Sequence, residues 1–156
     1  MTNLRTWLSN KLVTKEEKII VAIIATMIVF GTIGFGDATH LTISHYTGAD
    51  LRCGNAGGCN TVTGSAYSAI LGIPVALLGA LYYASVILLA IAYLDTKKEK
   101  LLRVLTVLPI AGLVASLWFV YLQLFVIHSI CIYCMVSAGT STVLFILSQL
   151  LRVRIK

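Results

Sequence analysis

Residues 104–151, VLTVLPIAGLVASLWFVYLQLFVIHSICIYCMVSAGTSTVLFILSQLL, decide the fold. They hold two runs, 104–127 and 129–151, without Asp, Glu, Lys or Arg, and a Cys-x-x-Cys opens the second. A helix needs roughly 20 apolar residues to cross ~30 Å of hydrocarbon, so each run is long enough to span. Two further charge-free runs, 19–36 and 66–94, come earlier. Backbone amides in lipid must be satisfied within their own segment, so runs this continuous form helices. The reading is an all-α integral membrane protein, a four-transmembrane-helix bundle in a single membrane domain over 1–156. The helices are expected at about 18–37, 66–94, 102–127 and 129–151, with a long extracytoplasmic loop, 38–65, between the first two.

Composition agrees. Hydrophobic residues make up 58% of the 156 and charged ones only 12%, which excludes an ordinary soluble domain. The net charge of +6 suggests nucleic acid until its distribution is followed. Arg5, Lys11, Lys15 and Lys18 precede the first run, Lys97, Lys98, Lys100 and Arg103 separate the second from the third, and Arg152, Arg154 and Lys156 follow the fourth. With four crossings these fall on one side, leaving Arg52 alone on the other, a strong positive-inside pattern. Both termini are therefore expected in the cytoplasm, and no nucleic-acid partner is expected. The long leader with Glu16 and Glu17, and no small-x-small cleavage site, argues against a cleaved signal peptide.

Finer features give finer expectations. Residues 1–17 read as an amphipathic lead, with Trp7, Leu8 and Leu12 available to the interface. The first helix is expected to end near Gly34-Phe35-Gly36-Asp37. Gly72-Ile73-Pro74 predicts a short outer half-helix, a break, then the crossing proper. Pro109 predicts a kink. Small residues at 137–141 suit close helix approach or a slot for a flat ligand.

All four cysteines fall at the outward end. Cys131 and Cys134, three apart on a helix, share a face and can pair. If Ser129 caps that helix, Cys131 lies in the first turn, where free N–H groups and the dipole favour a thiolate. Cys134 sits roughly 4.5 Å deeper, at the boundary where a quinone ring can dock. Cys53 and Cys59 enclose five residues, three of them Gly. That segment can close a disulfide ring, and it is flexible enough to bring either cysteine to Cys131. Thiol–disulfide exchange needs access and an attacking thiolate, and the loop offers both. Three blander readings stand beside this one: packing thiols, a static staple for the loop, and a four-cysteine zinc site.

Cys53-x5-Cys59, Ser65 six residues later, Gly72-Ile73-Pro74 with the stretch 72–83, and Cys131-x-x-Cys134 together resemble the vitamin K epoxide reductase family, its prokaryotic type in particular. The resemblance covers roughly 37–139. It implies that Cys131 and Cys134 are the active-site pair beside a quinone of the ubiquinone, menaquinone or vitamin K type. Cys134, Ser65, Val75, Leu78 and Ala138 would contact that quinone. Cys53 and Cys59 would be the shuttle pair, taking electrons from a thioredoxin-like protein and so supporting disulfide bond formation. The sequence carries no fused thioredoxin-like domain, so that partner is expected to be separate. A prokaryotic plasma membrane is the implied location, with the cysteines facing outward and no metal at the site. Where the animal enzymes carry an Asn in the second helix and Thr-Tyr-Ala after the Cys-x-x-Cys, this chain has Val75 and Val136-Ser137-Ala138, which favours quinone over epoxide reduction. A vitamin K epoxide reductase proper, or a non-catalytic membrane protein with structural disulfides or zinc, are the alternatives.

His40, His45 and His128 lie near the outward end and are read first as loop or interface residues, second as proton carriers. Asp37 and Asp50 read as caps or solvated groups. Tyr82, Tyr83, Trp118, Phe119 and Tyr121 read as core or belt aromatics, one of which can stack on a ring.

Overall fold

The computed structural model describes the backbone over residues 2–51 and 58–155, and side chains over 15–51 and 58–154. Helix α1 spans Thr2–Thr47, a short α2 spans Cys59–Thr63, and a small hairpin pairs β1 (Ala69–Ile70) with β2 (Ile73–Pro74). Then come α3 (Val75–Thr96), α4 (Glu99–Tyr121) and α5 (Ile132–Ile155). Four segments are long and apolar enough to cross a membrane: Lys15–Thr47, Val75–Thr96, Glu99–Val126 and Ile132–Arg154. The protein is therefore a four-helix membrane bundle. α1 packs on α3 and α5, and α4 on α5 and α3, which closes a ring of four. Large apolar side chains such as Leu88, Leu117 and Val153 face outward, as lipid permits and water does not.

The core is narrow and specific. Ile24 and Met27 of α1, Tyr83, Val86 and Ala90 of α3, Leu105 of α4 and Leu144 of α5 form one buried cluster. Tyr83 ties three helices together. Its ring lies where a Cβ on Gly34 would stand, and its hydroxyl bonds Ser137 O at 2.7 Å, Ser137 Oγ at 3.0 Å and Thr140 Oγ1 at 2.8 Å. At the basic end, Arg154 meets both carboxylate oxygens of Glu16 at 3.1 Å, which brings the start of the spanning part of α1 to the end of α5.

The helix boundaries depart from expectation at the cysteine-bearing end. The first helix does not stop near residue 37, nor does the loop begin at 38. Glycine weakens a helix interior by about 1 kcal/mol, but here Gly34 seats Tyr83, and Ala38, Leu41 and Thr42 beyond it are buried. The helix ends instead at Gly48, whose φ of +65° supplies the left-handed residue that closes many helices. The 33 residues from Lys15 to Thr47 rise about 50 Å, well beyond ~30 Å of hydrocarbon. The excess stands up beside the loop as a wall.

The half-helix expected before Gly72-Ile73-Pro74 is replaced by the hairpin. Leu71 and Gly72, at φ +53° and +81°, make its two-residue turn. Ser68 O then accepts the N–H of Val75, so α3 starts at 75 rather than 66. α4 runs from Glu99 to Tyr121 through Pro109 without interruption, then widens into a π-turn, Leu122–Val126. α5 begins at Ile132, not 129. Residues 2–17 of the amphipathic lead belong to α1, and the side chains of Trp7, Leu8 and Leu12 lie outside the described residues.

Candidate active site

The π-turn sets the site. It turns Gln123 inward, where the side chain is buried, and Gln123 Oε1 accepts the Cys131 N–H at 2.9 Å. The Ser129 N–H donates back to Gln123 O at 3.1 Å, and His128 reverses the chain with φ +53°. Ser129 is thereby drawn into the turn and does not cap α5. Cys131 takes the cap position instead, its carbonyl accepting the Met135 N–H at 3.0 Å.

That position conditions the sulfur. The Cys134 thiol hydrogen-bonds to Cys131, and the N–H groups of Cys134 and Tyr133 also point to it; together they hold Cys131 down to about 7, from 9.0, against the opposing effect of burial. Donors aimed at a sulfur favour its thiolate. Cys131 and Cys134 are both free thiols.

The loop brings its own cysteine to the same place. Cys59 opens α2, is disulfide-bonded, and is buried in one cluster with Cys131, Leu41, Leu51 and Val62. Cys53 lies outside the described residues. Gly58 makes the approach possible, because a Cβ there would come within 2.7 Å of Ile130 O and 3.0 Å of Ile130 N. Asn60 anchors the segment, accepting the Leu51 N–H at 2.9 Å and donating to Asp50 at 3.2 Å. Asp50 is thus a loop anchor.

Behind Cys134 lies a cavity of about 430 Å³ between α1, α3, α4 and α5, a size usual for small-molecule sites. Cys134, Ser65, Val75, Leu78 and Ala138 all line it. Most of the wall is apolar. Ser65 Oγ donates to Val62 O at 2.7 Å, closing the turn after α2, so it is not a helix N-cap. Tyr82 and Ser141 also face the cavity, and their hydroxyls lie against each other with no other hydrogen-bond partner among the described residues. A flat apolar ring with carbonyl acceptors, which is what a quinone presents, fits such walls.

The remaining candidates scatter. His45 lines the cavity, His40 packs against Tyr133 with ring centroids 5.3 Å apart, and His128 is exposed. Phe119 lines the cavity too, whereas Trp118 and Tyr121 stack on the lipid side at 6.0 Å. Asp37 is no cap: it sits inside α1, with Oδ2 buried and unpartnered among the described residues. Gln123 is the functional residue that sequence reasoning passed over. Its signal was present, a lone Gln in a charge-free run, since polar side chains at membrane depth face protein or cavity.

A membrane helix bundle with a free Cys-x-x-Cys at the mouth of an apolar cavity, beside a disulfide-bonded loop cysteine, is built for redox chemistry. The model of the vitamin K epoxide reductase family matches residues 25–149. The chain belongs to that family, and it is an integral membrane oxidoreductase. No curated protein matches it.

Proposed function

We propose that this protein passes electrons from a separate thioredoxin-like dithiol protein, through a Cys53/Cys59 pair, to Cys131/Cys134 and on to a quinone, and so drives disulfide formation outside a prokaryotic plasma membrane. The observation that carries the proposal is the shared burial of Cys59 and Cys131 in one cluster, with Cys134 behind them on the cavity wall. Eleven of twelve basic residues, in clusters away from the cysteine-bearing end, support cytoplasmic termini.

The steps balance as two-electron exchanges. A partner thiolate attacks the loop disulfide; the partner's second thiol resolves the mixed disulfide, leaving the partner oxidised and the loop reduced. A loop thiolate then attacks the Cys131 sulfur of an oxidised Cys131–Cys134 pair and releases the Cys134 thiolate. The other loop thiol resolves that bond, leaving two thiols at 131 and 134. A quinone at the cavity accepts two electrons and two protons and leaves as quinol, while the Cys131–Cys134 disulfide re-forms. Resolution of the mixed disulfide between the loop and Cys131 is favoured because Cys131, the thiol held to the lower pKa, is then the leaving group. Val75 and Ala138 put no polar group into the cavity, which favours a quinone over an epoxide as acceptor. Disulfide bonding of Cys59 counts against four-thiolate zinc, whose ligands are thiolates.

The test is quinone reduction by the purified protein with a reduced thioredoxin-like donor. Cys134→Ala should abolish turnover and accumulate a Cys131–loop mixed disulfide, seen in non-reducing digests. Cys59→Ala should lose turnover with the protein donor yet keep it with a small permeant dithiol. Full turnover in Cys134→Ala would end the proposal.

A further inference from the structure

Two adjacent tyrosines of α3 are treated in opposite ways. Tyr83 spends its hydroxyl on Ser137 and Thr140 of α5. Tyr82 Oη and Ser141 Oγ converge over Gly112 of α4, where they lie against each other outside good hydrogen-bond geometry and meet no third polar group among the described residues. A Cβ on Gly112 would collide with the Tyr82 hydroxyl and come within 2.8 Å of Ser141 Oγ, so the missing side chain is what leaves room for them. Ser141 is 2% exposed and lines the cavity. Two buried hydroxyls with only each other leave hydrogen-bonding capacity unused, and such groups ask for an explanation in a partner that is not protein.

Their position relative to Cys134 supplies one. Ser141 follows Cys134 by seven residues, nearly two turns, so both lie on the same face of α5. The separation along the axis is about 10 Å. A sulfur-to-ring contact takes about 3.5 Å and a hydrogen bond about 2.8 Å. About 4 Å remains, the reach from a ring carbon to the carbonyl oxygen opposite it. The hydroxyls between, on Ser137 and Thr140, are already occupied by Tyr83.

We propose that Tyr82 and Ser141 form a two-hydroxyl clamp for the carbonyl oxygen of a para-quinone on the side of the ring away from Cys134. The clamp rests on the quinone reading above and deepens it: the cavity selects acceptors with a carbonyl across the ring, and Gly112 keeps the clamp open. Tyr82 and Ser141 bind the acceptor and orient it, and neither takes part in thiol exchange.

Binding is measured directly on the full-length detergent-solubilised protein, by quenching of its fluorescence with menadione and by competition with methylnaphthalene, the same ring without carbonyls. Tyr82→Phe and Ser141→Ala should each weaken menadione binding about five- to tenfold and leave methylnaphthalene binding unchanged. The double variant should lose less than the product of the two, because both groups serve one oxygen. The melting temperature should hold in each, since only the strained contact between the two hydroxyls is lost, and the KM for a small dithiol should not move. Wild-type menadione affinity in both variants overturns the clamp, as does a fall in melting temperature with equal losses for both ligands, which marks a structural pair. Wild-type protein that binds menadione at the clamp but reduces no quinone would overturn the electron path and leave the clamp standing. Protein that binds no menadione at all overturns both.

Discussion

The bundle core around Tyr83 and the cysteine cluster around Cys131 are both buried, but they are held in different ways. The core is a long-range knot in which one side chain fills the space left by Gly34 and bonds two residues of α5. The cysteine cluster is assembled from short pieces, a loop helix, a π-turn and a helix cap. Single side chains tie them together, Asn60 to Leu51 and Gln123 to Cys131. The first arrangement resists change. The second is a meeting place whose parts can exchange bonds without disturbing the helices that carry them, and thiol exchange requires that.

The sharpest way to break the comparison is Gly34→Leu. The new side chain enters the space of the Tyr83 ring, so overpacking should cost about 1–3 kcal/mol. The melting temperature of the solubilised protein should fall markedly, with turnover per folded molecule nearly preserved. A variant that melts normally but turns over slowly would mean that the Tyr83 knot belongs to the site and not to the frame. Gly58→Val tests the other region. It pushes α2 off Ile130, so electron transfer from the loop should slow about tenfold or more while the melting temperature barely moves. A small dithiol that reaches Cys131 directly should restore the rate.

Gln123→Leu sits between the two regions. It leaves the buried Cys131 N–H without its acceptor, a loss of about 1–3 kcal/mol. Because that bond fixes only the entry of α5, the cost should appear as faster amide exchange at 129–132 and slower turnover, with the four spans still protected. Gln123→Glu, which keeps an acceptor, should recover most of the lost exchange protection.

The spans were legible because lipid allows no charge in them: four runs without Asp, Glu, Lys or Arg correspond to the four crossings. Their ends were not. Gly34 and Gly36 read as a stop, yet whether a glycine ends a helix depends on what fills the space beside it, here a ring 49 positions away in sequence. The hairpin turn places Leu71 at positive φ, where pattern favours Asn or Gly, so nothing local announced it. The cysteines and the small residues at 137–141 were visible as candidates. Which hydroxyls among them are satisfied was not, because that depends on how α3 is rotated about its axis, and helices apolar on all sides carry no periodicity to show it.

The smallest expected effects probe the Cys131 thiol, and they sharpen the difference between a cluster poised for exchange and one that is simply buried. Cys131 sits near 7 chiefly because the Cys134 thiol donates to it. The thiolate therefore prevails above about 7 and protonates as pH falls through that value. Cys134→Ala removes the principal donor and leaves the Tyr133 and residue-134 N–H groups, so the midpoint should rise part of the way back to the ordinary thiol value of 9.0. Cys134→Ser keeps a donor and should shift it less. Asp37 acts with the opposite sign, since its negative charge opposes the thiolate. Asp37→Asn should lower the midpoint slightly, because that charge contributes less than the hydrogen bonds do. Ultraviolet thiolate absorbance against pH, in a Cys53→Ser/Cys59→Ser background, reads all three. If Cys134→Ala leaves the midpoint where it was, the backbone N–H groups of the helix cap control the sulfur, and its reactivity belongs to the π-turn that set the cap there.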